Sequence, residues 1–249
     1  MSKQLTIGWL YPKLMNIYGD RGNLLVLQKR CQWRDIVVKV ELLDLGFEHL
    51  RLKNCNLILM GGAQDREQEA VVEDLFKAKD VLNQLIEHNV PGLYVCGAYQ
   101  LLGNYYQEAN GQKIKGLGIF DLYTKNPGKD EKRLIGNACF KPDLFDYTLL
   151  GFENHGGRTY LEKNVKPFGK VIKGFGNNAK DNLEGAVYKN SFGTYLHGPL
   201  LSKNPLFADY LIEKALEIKY KAKITLQKLD DTLEENERIE IAKHLQIEI

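Results

Sequence analysis

A short apolar segment leads directly into a helix at Leu93-Tyr94-Val95-Cys96-Gly97-Ala98-Tyr99-Gln100. Because Pro91-Gly92 precede it, we predict a strand at 93–95, followed by a helix that carries 99–102. A strand this short and continuously apolar is typical of a parallel sheet buried on both faces. The segment therefore indicates an α/β fold, and it places Cys96 at the turn between the two elements.

The chain before this segment alternates between strand and helix patterns. Apolar runs or near-perfect alternation predict strands at 5–10, 36–42 and 56–60. We predict one helix capped by Asn23 and ending near Trp33, and a second at 67–88 that Lys79-Asp80 could break. This alternation is typical of a doubly wound, mostly parallel sheet.

The middle of the chain consists of short β-rich pieces separated by glycines and asparagines. We expect antiparallel hairpins that extend one edge of the sheet, at 117–123, 133–140, 147–152, 170–175, 185–188 and 192–196. A helix at about 205–219 follows. We assign residues 221–249 to a charged C-terminal helix or mobile tail, and favour a solvated helix over one that docks a partner.

The composition excludes several classes of protein. The chain has 249 residues, 44% of them hydrophobic and 27% charged, as expected for a globular protein with a substantial core. A net charge of +2 provides no basic footprint for nucleic acid, and no apolar run approaches the roughly 20 residues that span a bilayer. We therefore expect a cytoplasmic protein. The four cysteines (Cys31, Cys55, Cys96 and Cys139) form no C-x-x-C pair, so neither a disulfide framework nor a zinc site is indicated.

Cys96 has the sequence surroundings of a nucleophile. A sharp turn out of a buried strand lifts its side chain above the sheet, and the N-terminus of the next helix favours the thiolate. The first N–H groups of that helix have no internal partner and can face an oxyanion. The local sequence fits a buried core cysteine equally well.

Three further segments could contribute to a site near Cys96. Gly61-Gly62 directly follow the strand at 56–60, at the edge of the sheet where ligands bind. Paired glycines at this position could let backbone amides approach a substrate closely, or they could simply form a tight turn. His197 ends an apolar strand and could act as the base for a thiol, although a packed histidine is the more common situation. The polar turn at 151–158 lacks the spacing of a metal site, and its Glu153 could orient a histidine or be a structural carboxylate.

Together these segments resemble the class I (triad) glutamine amidotransferases, specifically the branch with cobyric acid synthase-like domains. The resemblance is carried, in the family's order, by Tyr18-Gly19-Asp20-Arg21-Gly22-Asn23 and by residues 61–67, 96–103, 151–159 and 193–199. It implies an amidotransferase domain at 1–220. Cys96 would attack the side-chain amide of L-glutamine, with His197 as general acid and base. The N–H groups of Gly62 and Gly97 would form the oxyanion hole.

The resemblance also implies a substrate pocket, and it leaves the third catalytic residue open. Gln100 would shape the pocket, and Arg133 would bind the substrate's α-carboxylate through two parallel hydrogen bonds, unless it is only an exposed strand-edge charge. Many family members have a glutamate two residues after the histidine, where this chain has Pro199. Asp20 is the leading candidate for the missing carboxylate and Glu153 the second. A Cys–His dyad without a third member is also workable.

The resemblance further implies a second protein chain. No segment has the form of an ATP-binding loop, so we expect no cofactor or metal on this chain, and ATP and Mg²⁺ on the partner. The expected partner is a Mur ligase-like synthetase subunit of the MurT type, in a heterodimer that converts D-glutamate of the lipid II stem peptide to D-isoglutamine for peptidoglycan. Such a complex would act at the inner face of the cell membrane without inserting. A corrinoid-type acceptor, a stand-alone cysteine hydrolase and a non-catalytic scaffold are the alternatives.

Overall fold

Strands and helices alternate along the chain in the computed structural model, which describes residues 2–128 and 130–248. The strands are β1 (Gln4–Leu10), β2 (Val37–Leu43), β3 (Leu57–Met60), β4 (Gly92–Val95), β5 (Tyr105–Gln107), β6 (Lys113–Lys115), β7 (Leu122–Lys125), β8 (Leu134–Pro142), β9 (Leu149–His155), β10 (Arg158–Leu161), β11 (Gly169–Lys173), β12 (Leu183–Glu184), β13 (Ala186–Tyr188), β14 (Ser191–Thr194) and β15 (Leu196–His197). The helices are α1 (Arg21–Gln32), α2 (Asp65–Glu87), α3 (Gly97–Leu102), α4 (Pro205–Tyr220) and α5 (Thr232–Leu245). Short 3-10 helices lie at Ile17–Gly19, His49–Asn54 and Leu200–Ser202.

The central sheet has the strand order β2-β1-β3-β4-β14-β13. All neighbouring strands run parallel except β13, which is antiparallel to β14. Every residue of β3 and β4 is buried, which explains their continuously apolar sequences. Helix α1 packs against α4, and α2 against α3. The predicted fold class, a doubly wound and mostly parallel α/β sheet with antiparallel additions, is confirmed.

The β-rich middle of the chain forms two further sheets, with the orders β10-β7-β5-β6 and β12-β11-β8-β9-β15. Of the segments expected to extend the central sheet, only 185–188 and 192–196 do so, as the antiparallel hairpin of β13 and β14. The others lie in the two further sheets, because alternation identifies a strand but does not specify the sheet that it joins. The hairpin expectation is therefore correct for β13 and β14 and wrong in its placement of the others.

Several predicted boundaries also change. Helix α2 runs unbroken through Lys79-Asp80, and the strand expected at 117–123 is confined to β7, which begins at Leu122. Helix α1 begins before Asn23, so this residue is not its cap. The Asn23 side chain instead accepts a hydrogen bond from the backbone N–H of Leu201 at 2.9 Å, which joins α1 to the segment after His197.

The charged C-terminal segment contains α5, and buried ion pairs hold it against the rest of the protein. Arg30 of α1 bonds to Asp209 of α4 at 2.6 Å and to Asp231, just before α5, at 2.6 Å. Arg238 of α5 is 1% exposed and donates to the carbonyl oxygen of Thr148 at 2.9 Å. The segment thus contains a surface helix, which packs against the protein through Arg238, Ala242 and Leu245. Among the described residues, no helix has the length and apolarity needed to cross a bilayer.

Candidate active site

Cys96 lies at the turn from β4 into α3, at the carboxyl edge of the central sheet. Its backbone has φ 52° and ψ −106°, a left-handed φ that is strained for a residue with a side chain. Its N–H donates to the carbonyl oxygen of Thr194 at 2.8 Å, which ties the turn to β14. The N–H of Gly97, at the start of α3, donates to no acceptor in the described part of the chain. The turn therefore presents a thiol beside a free backbone donor.

His197 reaches Cys96 because the chain changes sheets just before it. β14 pairs with β4 in the central sheet, whereas β15, which carries His197, pairs with β9. Buried Glu184 stabilises this crossing by accepting hydrogen bonds from Thr194 Oγ1 at 2.7 Å and from the next backbone N–H at 2.8 Å. The Cε1 of His197 and the Cβ of Cys96 lie 2.9 Å and 3.1 Å from the point that a Cβ on Gly62 would occupy. The two side chains meet against a glycine that leaves room for both.

Asp20 contacts the imidazole of His197. Its Oδ1 lies 3.0 Å from Nδ1 of His197, and its Oδ2 accepts a hydrogen bond from the N–H of Gly62 at 2.7 Å. Burial by itself lowers the pKa of His197, but the charge and hydrogen bond of Asp20 and the neighbouring Cys96 thiol outweigh burial and raise the pKa to about 10. His197 Nε2 has no hydrogen-bond partner among the described residues, so this nitrogen is left to exchange a proton with the thiol.

The start of α1 occupies the space beside Pro199, two residues after His197. A Cβ on Gly22 would lie 2.3 Å from Cγ of Pro199, so the helix can approach this closely only because residue 22 is a glycine. Asp20 directly precedes α1, and its side chain makes no capping hydrogen bond to that helix. Both carboxylate oxygens are therefore available to His197 and Gly62.

Glu153, the second candidate carboxylate, has different contacts. It accepts hydrogen bonds from the N–H groups of Phe175 at 2.7 Å and Gly176 at 3.1 Å, and its Oε2 lies 3.7 Å from Nε2 of His155. Burial raises the pKa of Glu153 to about 7, although both backbone donors oppose this. The structure brings Asp20 to the imidazole and uses Glu153 to hold the loop after β11.

The two predicted oxyanion donors differ in availability. The N–H of Gly97 is free, as described above, but that of Gly62 already donates to Asp20. The next amide along the chain belongs to Ala63, and its nitrogen lies 3.1 Å from the point that a Cβ on Gly97 would occupy. It donates to no acceptor among residues 2–128 and 130–248. Ala63 is thus better placed than Gly62 to share an oxyanion with Gly97.

A cavity of about 490 Å³ opens beside Cys96. Its walls come from the 3-10 helix at Ile17–Gly19, the start of α2, α3 and the turn between β9 and β10, and they include Cys96, Gln100, Arg133 and Asn154. Within the described ranges, no group of three or more histidine, cysteine, aspartate or glutamate side chains is arranged to hold a metal ion. The cavity brings together the predicted nucleophile and both side chains predicted to bind substrate.

Neighbouring side chains hold both of these residues in place. Gln100 donates from Nε2 to the hydroxyl of Tyr195 at 3.1 Å and accepts from Nε2 of Gln68 at 3.1 Å, so it forms a rigid wall. Arg133 donates from Nε to Oδ1 of Asn154 at 3.0 Å and from Nη2 to its carbonyl oxygen at 3.0 Å. Asn154 thereby holds the guanidinium group at the cavity.

Sequence reasoning missed three aromatic residues of the site. The ring of Tyr18 packs edge-on against His197, with centroids 5.0 Å apart, and Tyr18 has a left-handed φ of 55°. His155 stacks on Tyr195 with centroids 3.6 Å apart, and burial lowers the pKa of His155 to about 3, which keeps its ring neutral. All three lie in segments that the sequence had singled out. Only the fold shows which side chain of each segment faces the site.

This geometry agrees with comparisons to known proteins. Residues 6–205 match the CobB/CobQ-like glutamine amidotransferase domain. The chain belongs to this family. It is 42% identical over 217 residues to subunit GatD of lipid II isoglutaminyl synthase (glutamine-hydrolyzing) from Staphylococcus aureus. The aligned region covers 87% of this chain and 86% of that subunit. The corresponding subunit from Streptococcus pneumoniae is 41% identical over 230 residues, or 92% of this chain and 87% of that subunit.

A solved structure has the same fold. The glutaminase domain of Trypanosoma brucei CTPS with bound acivicin superposes with a TM-score of 0.57 at 13% identity, covering 90% of this chain and 96% of that domain. The family match and the two GatD relatives confirm the resemblance seen in the sequence. The chain is a glutamine amidotransferase, an enzyme subunit of a glutamine-hydrolysing ligase.

Proposed function

We propose that this chain hydrolyses L-glutamine through a thioester on Cys96 and supplies the ammonia to a separate, ATP-dependent synthetase subunit. The observation that carries the proposal is the arrangement of Cys96, His197 and Asp20 at a strained turn beside the cavity. A nucleophile, a base and a carboxylate that orients the base are the parts that acyl transfer from an amide requires.

The first half of the reaction forms the thioester. The thiol proton resides on Nε2 of His197, whose raised pKa of about 10 favours the imidazolium, and the thiolate sulfur attacks the side-chain carbonyl carbon of glutamine. Charge then develops on the carbonyl oxygen, where the N–H groups of Gly97 and Ala63 would stabilise it by roughly 3 kcal/mol per donor. His197 returns its proton to the amide nitrogen as the carbon–nitrogen bond breaks, which releases ammonia.

The second half regenerates the enzyme. His197 takes a proton from water as the water oxygen attacks the thioester carbonyl carbon. His197 then gives this proton to the sulfur of Cys96 as the carbon–sulfur bond breaks. The products are glutamate and the free thiol. The side chain of Asp20 orients the imidazole and stabilises the imidazolium in each half-reaction. Arg133 would hold the α-carboxylate of the substrate, because a guanidinium group binds a carboxylate through parallel hydrogen bonds.

The GatD relatives, which are named as subunits of lipid II isoglutaminyl synthase, support lipid II as the acceptor of the ammonia. We infer that the partner is a Mur ligase-like synthetase that binds ATP and Mg²⁺ and activates D-glutamate of the lipid II stem peptide. This chain would need no cofactor of its own. Because lipid II is anchored in the membrane, the heterodimer would act at the inner face of the cell membrane.

Glutamine turnover by the purified complex of this chain and its synthetase subunit tests the proposal. We expect equal release of ammonia and glutamate, abolished by Cys96→Ala. Cys31→Ala is the matched control, because Cys31 is also buried and burial raises its pKa to about 12, which leaves its thiol inert. Absence of glutamine turnover by the unmodified complex would refute the glutaminase assignment.

The family description includes CobB and CobQ, so a corrinoid acceptor is the second candidate. Affinity purification of the tagged chain from its native cells distinguishes the two acceptors. A Mur ligase-like protein in the purified complex supports lipid II, and a corrinoid-modifying enzyme supports the alternative. Full glutaminase activity of the isolated chain, with no associated synthetase, would indicate a stand-alone hydrolase.

A further inference from the structure

The substrate's α-ammonium group has no binding site in the function proposed so far. Free glutamine carries a carboxylate and an ammonium on the same carbon, and Arg133 would account only for the carboxylate. Two other charged side chains, Asp65 and Arg66, line the same cavity. Of these, only Asp65 has the charge that an ammonium group requires.

We propose that Asp65 binds the α-ammonium of glutamine and makes the enzyme specific for an amino acid rather than for any amide. This inference rests on the proposed glutaminase function. Asp65 is the first residue of α2, and its Oδ1 accepts a hydrogen bond from the hydroxyl of Tyr106 at 3.0 Å. Tyr106 is itself 3% exposed and also lines the cavity. The carboxylate is therefore held at the wall by a rigid neighbour.

The charge of Asp65 is not neutralised by the protein. In the part of the chain that the structure describes, Asp65 forms no ion pair with a basic side chain. Tyr106 donates one neutral hydrogen bond, which leaves most of the acceptor capacity of the carboxylate unused. A partly buried carboxylate gains most from a cation that it can also hydrogen-bond, and an ammonium group offers three N–H donors.

A purely structural role for Asp65 is the competing explanation. An acidic residue in the first turn of a helix interacts favourably with the helix dipole, and Glu67 occupies the same turn of α2. The two residues differ in location, because Asp65 lines the cavity and Glu67 does not. Glu67→Gln therefore removes the same charge from the same helical turn and serves as the matched control.

Binding at both charged groups would give the cavity three-point recognition of its substrate. The amide would lie at Cys96, the carboxylate at Arg133 and the ammonium at Asp65. An analogue that lacks the α-amino group would leave the carboxylate of Asp65 desolvated and without a partner, which is strongly unfavourable. The wild-type enzyme should therefore discriminate against glutaramate, which is glutamine without its amino group.

The test compares kcat/KM for L-glutamine and glutaramate, using the complex of this chain with its synthetase subunit. We expect the wild type and Glu67→Gln to prefer glutamine by roughly 10- to 100-fold, the range for one charge-assisted hydrogen bond. Asp65→Asn should reduce this preference to within about 3-fold, through a higher KM for glutamine and a lower KM for glutaramate, because no unpaired carboxylate then faces the analogue. Tyr106→Phe should reduce it less, because the charge remains.

Two results would overturn the assignment. Equal losses on both substrates in Asp65→Asn would indicate a structural role, and an unchanged preference would place the ammonium elsewhere. Calorimetric binding of the two ligands to Cys96→Ala, with and without Asp65→Asn, gives the same comparison without turnover. If the wild-type complex fails to hydrolyse glutamine, the proposed function is wrong. In that case, calorimetry still decides whether Asp65 distinguishes the two ligands.

Discussion

Replacing Asp20 with asparagine removes the charge that keeps His197 protonated. Burial lowers the pKa of His197, and Asp20 is the main group that reverses this effect and raises the pKa to about 10. In Asp20→Asn, burial acts without its principal opponent and only the Cys96 thiol still raises the pKa, so the pKa of His197 should fall well below about 10. A lower pKa means that the imidazolium loses its proton at lower pH. The pH range in which His197 can protonate the leaving ammonia therefore shrinks from its alkaline side.

The size of the effect follows from these values. At pH 8, a histidine with the ordinary pKa of 6.5 is protonated in roughly one molecule in 30, whereas one with a pKa of about 10 is almost fully protonated. Asparagine can also stabilise the wrong tautomer of the ring, a loss that in comparable sites reaches roughly 10⁴-fold. We expect kcat/KM for glutamine to fall between about 10²- and 10⁴-fold at pH 8, and its alkaline limb to move from near pH 10 to clearly lower pH.

The assay is ammonia release from glutamine by the complex across the pH range, with circular dichroism to verify folding. Glu153→Gln keeps only one of the two hydrogen bonds from Phe175 and Gly176, because an amide has a single acceptor oxygen, but it is the matched control since Glu153 is a buried carboxylate that does not contact His197. It should keep the wild-type alkaline limb. If Asp20→Asn stays within about 3-fold of the wild type at pH 8, or keeps that limb, the reasoning about the Asp20–His197 pair is wrong.

Three further substitutions test other parts of the structure. Gly62→Ala should lower kcat at least about 100-fold with little loss of folding, because its Cβ would lie 2.9 Å from Cε1 of His197. Gly136→Ala is the control: its Cβ would have no neighbouring atom within 4 Å, so the variant should be neutral in the same ammonia assay. Arg133→Met should raise KM for glutamine roughly 10- to 100-fold and leave kcat nearly unchanged, whereas an unaltered KM would remove its assigned role. Arg238→Met removes a buried side chain that anchors α5. It should reduce the free energy of unfolding by about 3 kcal/mol in urea titrations and expose 221–248 to proteolysis. Equal protease resistance in the variant and the wild type would contradict that anchoring.

Local patterns in the sequence were sufficient for the main elements of the fold. Leu57–Met60 and Gly92–Val95 are read as buried strands because each is short and wholly apolar, and the structure buries every residue of both. The turn at Cys96 was likewise visible from its strand-to-helix junction. The β-rich middle was less predictable, because alternation identifies a strand but not the sheet that it joins.

The sequence alone thus predicted the α/β class from periodicity, the family from the resemblance of its motifs, and Cys96 as the candidate nucleophile from the residues adjacent to it in the chain. Only the tertiary structure chose between Asp20 and Glu153 as the partner of the histidine. Asp20 and His197 are 177 positions apart, and they meet because Gly22 lets α1 approach Pro199 while β15 leaves the central sheet. The other carboxylate oxygen of Asp20 accepts the hydrogen bond of the Gly62 N–H, which leaves the N–H of Ala63 as the better-placed oxyanion donor. Contacts of this kind depend on the path of the whole chain, which no local pattern encodes.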